Sequence, residues 1–191
     1  MKTTSSALIT DLVTRTQDNL TQARHLKDEA TEALNWKANP TVWSVLECVD
    51  HLNQYDKIYL PNIKTSMENS ALAPKQHFKS GLFGGWFANL MRPGGAGKKM
   101  KTFKSKNPNG KQLNKEVLDL FIKDQQQLLA LLETAQQHNL KQVKVNTAAG
   151  SWLRINLGDA FRVIVYHNQR HLEQAQRSLV NFATQVRAQG V

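Results

Sequence analysis

The sequence predicts an all-α protein, a four-helix bundle with one long crossover between the second and third helices. Three observations carry that prediction. Four stretches repeat apolar residues at spacings of three and four, the period of a helix with one buried face. No run alternates apolar and polar residues convincingly enough to make a strand. A connection of more than 40 residues, rich in glycine and lysine, separates the second pattern from the third. Short links make neighbouring helices antiparallel, whereas a long crossover lets its flanking helices run parallel. The 191 residues suffice for a single domain, 1–191, with a sizeable core.

The first helix is expected from about Ser5 to Leu34, on Ile9, Leu12, Val13, Thr16, Leu20, Ala23, Leu26, Ala30 and Leu34. Asn39-Pro40-Thr41 then breaks the chain, and the second helix runs from Val42 to about Asn69. Pro61 falls inside it and is expected to kink it or end its regular part. A third helix, about Asn114 to Gln137, rests on Val117, Leu118, Phe121, Leu128, Leu131, Leu132 and Ala135. Val143-Lys144-Val145 leaves room for a short extended piece. The last helix, Leu157 to Phe182, starts beside Asp159, a residue that favours helix N-termini.

The crossover, 71–115, carries the whole charge excess of +10. It holds ten basic residues and no Asp or Glu, and the other 15 basic residues match the 15 acidic ones. Seven of the ten glycines lie there too, as does Phe83-Gly84-Gly85-Trp86-Phe87, which reads equally as a pin holding the crossover to the bundle or as a lid. Lys98, Lys99, Lys101 and Lys104 are its candidate anion-binding residues. The lysine-rich stretch from Lys98 to Lys106 lacks a clear amphipathic period, which disfavours a membrane-surface role.

The last helix places His167 and His171 on its inward stripe, with Ala160, Ile164, Ala175, Ser178 and Phe182. Residues at i and i+4 stack on one helix face, so two ring nitrogens can converge on one ion. His51 flanks the apolar arc of the second helix, formed by Val45, Cys48, Leu52, Tyr55 and Tyr59. A single inward histidine is more often a hydrogen-bonded core residue; three from two helices are the raw material of a metal site with open positions. The zinc-protease motif needs Glu directly after the first histidine, and Asn168 stands there instead.

The same segments resemble the DinB-like superfamily. Trp43-Ser44, followed by His51-Leu52, looks like that family's second-helix pattern W-S-x-x-x-x-x-x-H-L. Leu157-Gly158-Asp159 with His167-Asn168-Gln169-Arg170-His171-Leu172-Glu173-Gln174 is similar to its closing helix, H-x-x-R-H-L-x-Q. The resemblance implies a four-helix bundle that binds a divalent metal through His51, His167 and His171. Characterised relatives are thiol-dependent transferases and an isomerase, so it also implies a transferase acting with a low-molecular-weight thiol. The crossover is richer in glycine and lysine than those transferases lead one to expect.

Imidazole ligands suit zinc, nickel, iron or copper, and the open position makes the ion a Lewis acid toward a bound thiol or water. Thiol transfer and hydrolysis both follow from such a centre, and a non-catalytic metal-binding bundle remains the plainer alternative. Glu47, Asn168 and Gln174 lie one helical turn from a histidine and are candidates for orienting it. Arg170 suits an anionic substrate or a salt bridge between helices. His25, His77 and His138 look incidental. The compatible partners are a small-molecule substrate, anionic where it meets the lysines, and a second copy in a homodimer. Basic and aromatic residues interleave in the crossover, but it matches no recognition motif, so nucleic acid is the less favoured partner. No apolar run approaches the roughly 20 residues of a membrane helix. The lone Cys48 excludes an internal disulfide, and the expected compartment is the cytoplasm.

Overall fold

A computed structural model of the chain describes residues 1–94, 102, 104–188 and 190. The protein is mostly helical. In chain order the elements are β1 (Lys2–Thr4), α1 (Ser5–Asp28), α2 (Thr31–Asn35), α3 (Val45–Glu68), β2 (His77–Lys79) and α4 (Leu82–Met91). A 3-10 turn at Lys104–Lys106 precedes α5 (Glu116–Thr134), β3 (Lys144–Thr147), β4 (Gly150–Asn156) and α6 (Leu157–Ala188). Of the four long helices, α1 packs against α5 and α6, and so does α3.

The expected first helix is in fact two. It ends at Asp28, Glu29 and Ala30 are extended, and α2 resumes at Thr31. Asp28 and Glu29 put negative charge at the negative end of the helix dipole, which opposes continuation. The break also lets Ala33 and Leu34 be almost fully buried. The second helix starts later than Val42 because Ser44 and Glu47 form a capping box. The Glu47 N–H donates to Ser44 Oγ at 3.1 Å, and the Ser44 N–H donates to Glu47 Oε2 at 2.8 Å. Pro61 does not end the helix, which continues to Glu68.

Two short antiparallel ribbons qualify the all-α expectation. β1 pairs with β2, and β3 pairs with β4, so Val143-Lys144-Val145 does lead into a strand. The larger correction is α4, a helix inside the crossover. Glycines conceal it in the sequence, because Gly84 and Gly85 form its inward face. A Cβ on Gly84 would lie 2.8 Å from Asp159 Oδ2, and one on Gly85 would lie 2.9 Å from Ser80 Cβ. Small residues let this helix approach α6 closely.

Arg162 secures that contact from inside. Only 2% exposed, it bonds Asp159 Oδ1 at 3.0 Å, Ser80 Oγ at 2.7 Å and Asn89 Oδ1 at 2.8 Å. Asp159 also accepts the Gly81 N–H at 2.8 Å. The aspartate expected to favour the start of the last helix therefore has a second role, as the buried counter-ion that docks α4.

The core falls into two apolar clusters. One holds Leu8, Ile9 and Leu12 with Tyr59–Met67 residues, Leu128–Leu132 residues and the first turns of α6; the other holds Ala23, Leu26, the start of α3, Leu118, Phe121, Leu172 and Ala175. Along each long helix, buried polar residues occupy the interval between the two: Thr16 and Asn19, Asn53 and Asp56, Gln125, and His167 with Asn168. Asp56 ties three helices together here. Its carboxylate accepts from Asn168 Nδ2 at 3.2 Å and from Gln125 Nε2 at 3.3 Å.

Burial, reinforced by the nearby Asp124 charge, pushes the Asp56 carboxyl well above the usual carboxylate range. Between the ordinary value and the raised one, the folded state binds more protons than the unfolded state. Stability must therefore fall as pH rises through that window. Asp56→Asn is expected to be nearly neutral at pH 4 and to raise the melting temperature at pH 8, by ~2–4 °C for each kcal/mol recovered. Calorimetry at the two pH values checks this, and an equal shift at both would mean that the carboxyl is not strained.

Candidate metal centre

The site is built where α3 and α6 face each other. The capping box fixes the start of α3, and His51 follows two turns later; α6 brings His167 and His171 to the same face. One ring nitrogen from each of the three lies within 4.8 Å of the others. His51 Nε2 and His167 Nε2 are 3.3 Å apart. Two nitrogens bound at roughly 2.0–2.1 Å to one tetrahedral ion would be separated by about 3.3–3.4 Å. The spacing fits a shared ion.

Hydrogen bonds set which nitrogen two of the rings offer. His51 Nδ1–H donates to the Lys106 carbonyl at 2.9 Å, which leaves a lone pair on Nε2. His171 Nδ1–H donates to Gln174 Oε1 at 3.0 Å, with the same result. His167 Nδ1 is buried without a partner among the described residues. Aromatic rings wall the cluster. Trp43 lies 4.7 Å from the His51 ring and 5.6 Å from the His171 ring, and Tyr55 lies 5.0 Å from His51 and 4.8 Å from His167.

Burial keeps all three imidazoles neutral. Desolvation lowers the His51 pKa, and together with the other two histidines and Arg170 it holds His167 well below the ordinary value. His171 is pushed down to about 3, by desolvation first and by His51 next. Neutral imidazole is the form that binds a metal, so no proton has to be displaced near neutral pH.

The other expected residues divide. Gln174 Oε1 lies in hydrogen-bond contact with His171 Nδ1. Asn168 reaches Asp56 instead of a histidine. Glu47, 1% exposed, makes no bond to His51; besides capping α3 it pairs with Lys37 Nζ at 3.0 Å and accepts the Gly110 N–H. It thereby clamps the end of the crossover against the start of α3. Arg170 donates to the Leu90 carbonyl at 2.9 Å, a tie to α4 that was not foreseen, while its charge still acts on His167 and His171. Lys104 is exposed in the 3-10 turn, and Lys98, Lys99 and Lys101 lie outside the described residues.

Sequence reasoning missed three contributors. Tyr55, at i+4 from His51, stood on the apolar arc that His51 flanks but carried no role at the site. Trp43 belonged to the quoted motif but carried no role. The Lys106 carbonyl is a backbone group, and no side-chain pattern announces it.

A sequence profile of the DinB superfamily matches residues 12–175, a span that includes all three histidines. The chain belongs to the DinB superfamily. No curated protein and no solved structure matches it. In this DinB-superfamily chain the three clustered histidines could hold a metal ion, and the helix that carries two of them also receives α4 from the crossover.

Proposed function

We propose that the chain is a four-helix bundle that binds one divalent metal through His51, His167 and His171, and that it acts as a metal-dependent transferase using a low-molecular-weight thiol. The observation that carries the reading is the 3.3 Å approach of two Nε2 atoms, one of them on a ring whose Nδ1 proton is already committed to a carbonyl. Zinc, nickel and iron all suit such a donor set. A divalent ion there supplies Lewis acidity, which favours the ionised form of a bound thiol.

The chain's own residues do the remaining work. Lys106 and Gln174 fix the orientation of His51 and His171 through their Nδ1 protons. Trp43 and Tyr55 shield the histidines from water on two sides, which strengthens electrostatic interactions in the site. The Arg170 charge, held in place by the Leu90 carbonyl, favours an anionic ligand such as a thiolate. Cys48 supplies no sulfur to this chemistry. It is fully buried, and burial pushes its thiol far above the usual range, so any reacting thiol comes from solution.

Isothermal titration of the zinc- or nickel-loaded protein with cysteine and glutathione tests the reading. Binding is expected only with the metal present and should be lost from the metal-free protein. Absence of metal-dependent heat with every thiol tried would turn the assignment toward hydrolysis or toward a metal-binding bundle without catalysis.

A further inference from the structure

The helix in the crossover is turned inside out. Its buried face consists of Gly84, Gly85, Ala88 and Met91, with Phe87 packed partly against the core, while Leu82, Phe83 and Trp86 point to solvent. Leu82 is 98% exposed, Trp86 59% and Phe83 44%. The aromatic residues also support one another, with ring centroids 5.7 Å apart for Phe83 and Trp86 and 6.1 Å for Phe83 and Phe87. An ordinary surface helix buries its large apolar residues and exposes its small or polar ones.

Nothing about this presentation is loose. Asp159 holds the Gly81 N–H, Arg162 holds Asn89, and Arg170 holds the Leu90 carbonyl. Firm attachment through three polar contacts keeps the apolar face outward, and contiguous exposed apolar residues mark a docking surface. The charge carried by the segment itself is of one sign. Lys79 lies three residues before the helix and pairs across the ribbon with Lys2, Arg92 caps its far end, and residues 71–115 contain no Asp or Glu.

We infer that α4 is a membrane-surface docking element, which seats Leu82, Phe83 and Trp86 among the headgroups of an anionic bilayer while Lys2, Lys79 and Arg92 meet the lipid charge. Tryptophan and phenylalanine beside leucine, flanked by basic residues, suit the boundary between headgroups and acyl chains. A second copy of the chain fits this face poorly, because like charges would then oppose one another. Phe83 and Trp86 offer rings to a nucleic-acid base, but Leu82, the most exposed residue of the face, offers none, and the oligonucleotide arm of the test below decides between the two. The absence of an amphipathic period from Lys98 to Lys106 argued against lipid contact; the apolar face lies upstream of that stretch, at 82–86.

Co-sedimentation of the full chain with vesicles tests the inference at physiological salt. The protein should bind vesicles of phosphatidylcholine with one-third phosphatidylglycerol and leave pure phosphatidylcholine vesicles unoccupied. Trp86→Glu and Leu82→Glu alter exposed positions, so circular dichroism should be unchanged while binding falls at least tenfold. Lys79→Gln should weaken binding about fivefold, as expected for one basic residue at an anionic surface. The proposal is overturned if the anionic vesicles are not bound, or if neutral vesicles bind equally well. It is overturned equally if Trp86→Glu leaves binding intact, converts a dimer to a monomer, or abolishes binding of a single-stranded oligonucleotide while vesicle binding stays the same. These readouts do not depend on the thiol chemistry proposed above.

Discussion

Replacing His171 by Ala is expected to reduce the bound divalent metal from one ion per chain to a small residual fraction without loss of helix. His171 is the least buried of the three histidines, on a helix whose core neighbours Leu172 and Ala175 remain in place. Alanine is a strong helix former, so α6 should persist. Two imidazoles remain after the change, and affinity should fall by more than the ~10–100-fold that follows loss of an outer hydrogen-bond partner. Gln174→Leu, which removes only the acceptor for His171 Nδ1–H, should fall within that smaller range. Metal analysis after equilibration in a metal-buffered solution measures both, and a His167/His171 double variant that keeps a full equivalent would sink the assignment. Because burial holds the imidazoles neutral, affinity should also stay nearly flat from pH 8 to pH 6. An exposed histidine set, titrating near ~6.5, would already be losing metal there.

The largest stability effect should come from Arg162→Ala. The substitution leaves the Asp159 carboxylate, itself without exposure, paired only to a backbone N–H, and removes the bonds to Ser80 and Asn89 that dock α4. Breaking a buried pair by deleting one partner typically costs ~3–5 kcal/mol. In a chain of this size that lowers the melting temperature by on the order of 10 °C. The double variant Asp159→Asn/Arg162→Met removes the charge together with its partner and should recover a substantial part of the loss. Thermal denaturation compares the two, and equal destabilisation would show that lost packing, not a stranded charge, is the cause.

The helices were legible in the sequence wherever a wide apolar stripe repeated, as in α3, α5 and α6. The histidines were legible because His167 and His171 stand on such a stripe, His51 flanks another, and all three match a motif. Legibility failed where tertiary contact reverses the local signal. In α4 the glycines that read as a flexible linker are the packing surface, and of the aromatic residues that read as a pin or a lid, Phe83 and Trp86 point to solvent while Phe87 packs against the core. At Glu29 the apolar spacing continues through Leu34 although the backbone does not. Glu47 lay one turn from a histidine, yet its carboxylate is consumed by a cap, a lysine and a loop N–H, and helical spacing cannot show where a carboxylate points.

The polar interval between the two apolar clusters also governs alignment. Leucine faces slide past one another at little cost, since one apolar contact replaces another. Sliding α3 by one turn, about 5.4 Å, would carry Asp56 away from Gln125 and Asn168 and strand it among side chains such as Leu128 or Leu172. A single buried polar residue is known to fix helix register in this way in coiled coils. The same slip would part His51 from His167, whose nitrogens lie 3.3 Å apart. The carboxylate that lowers stability at neutral pH therefore acts as the index mark of the packed helices, holding two histidines on separate helices at one height.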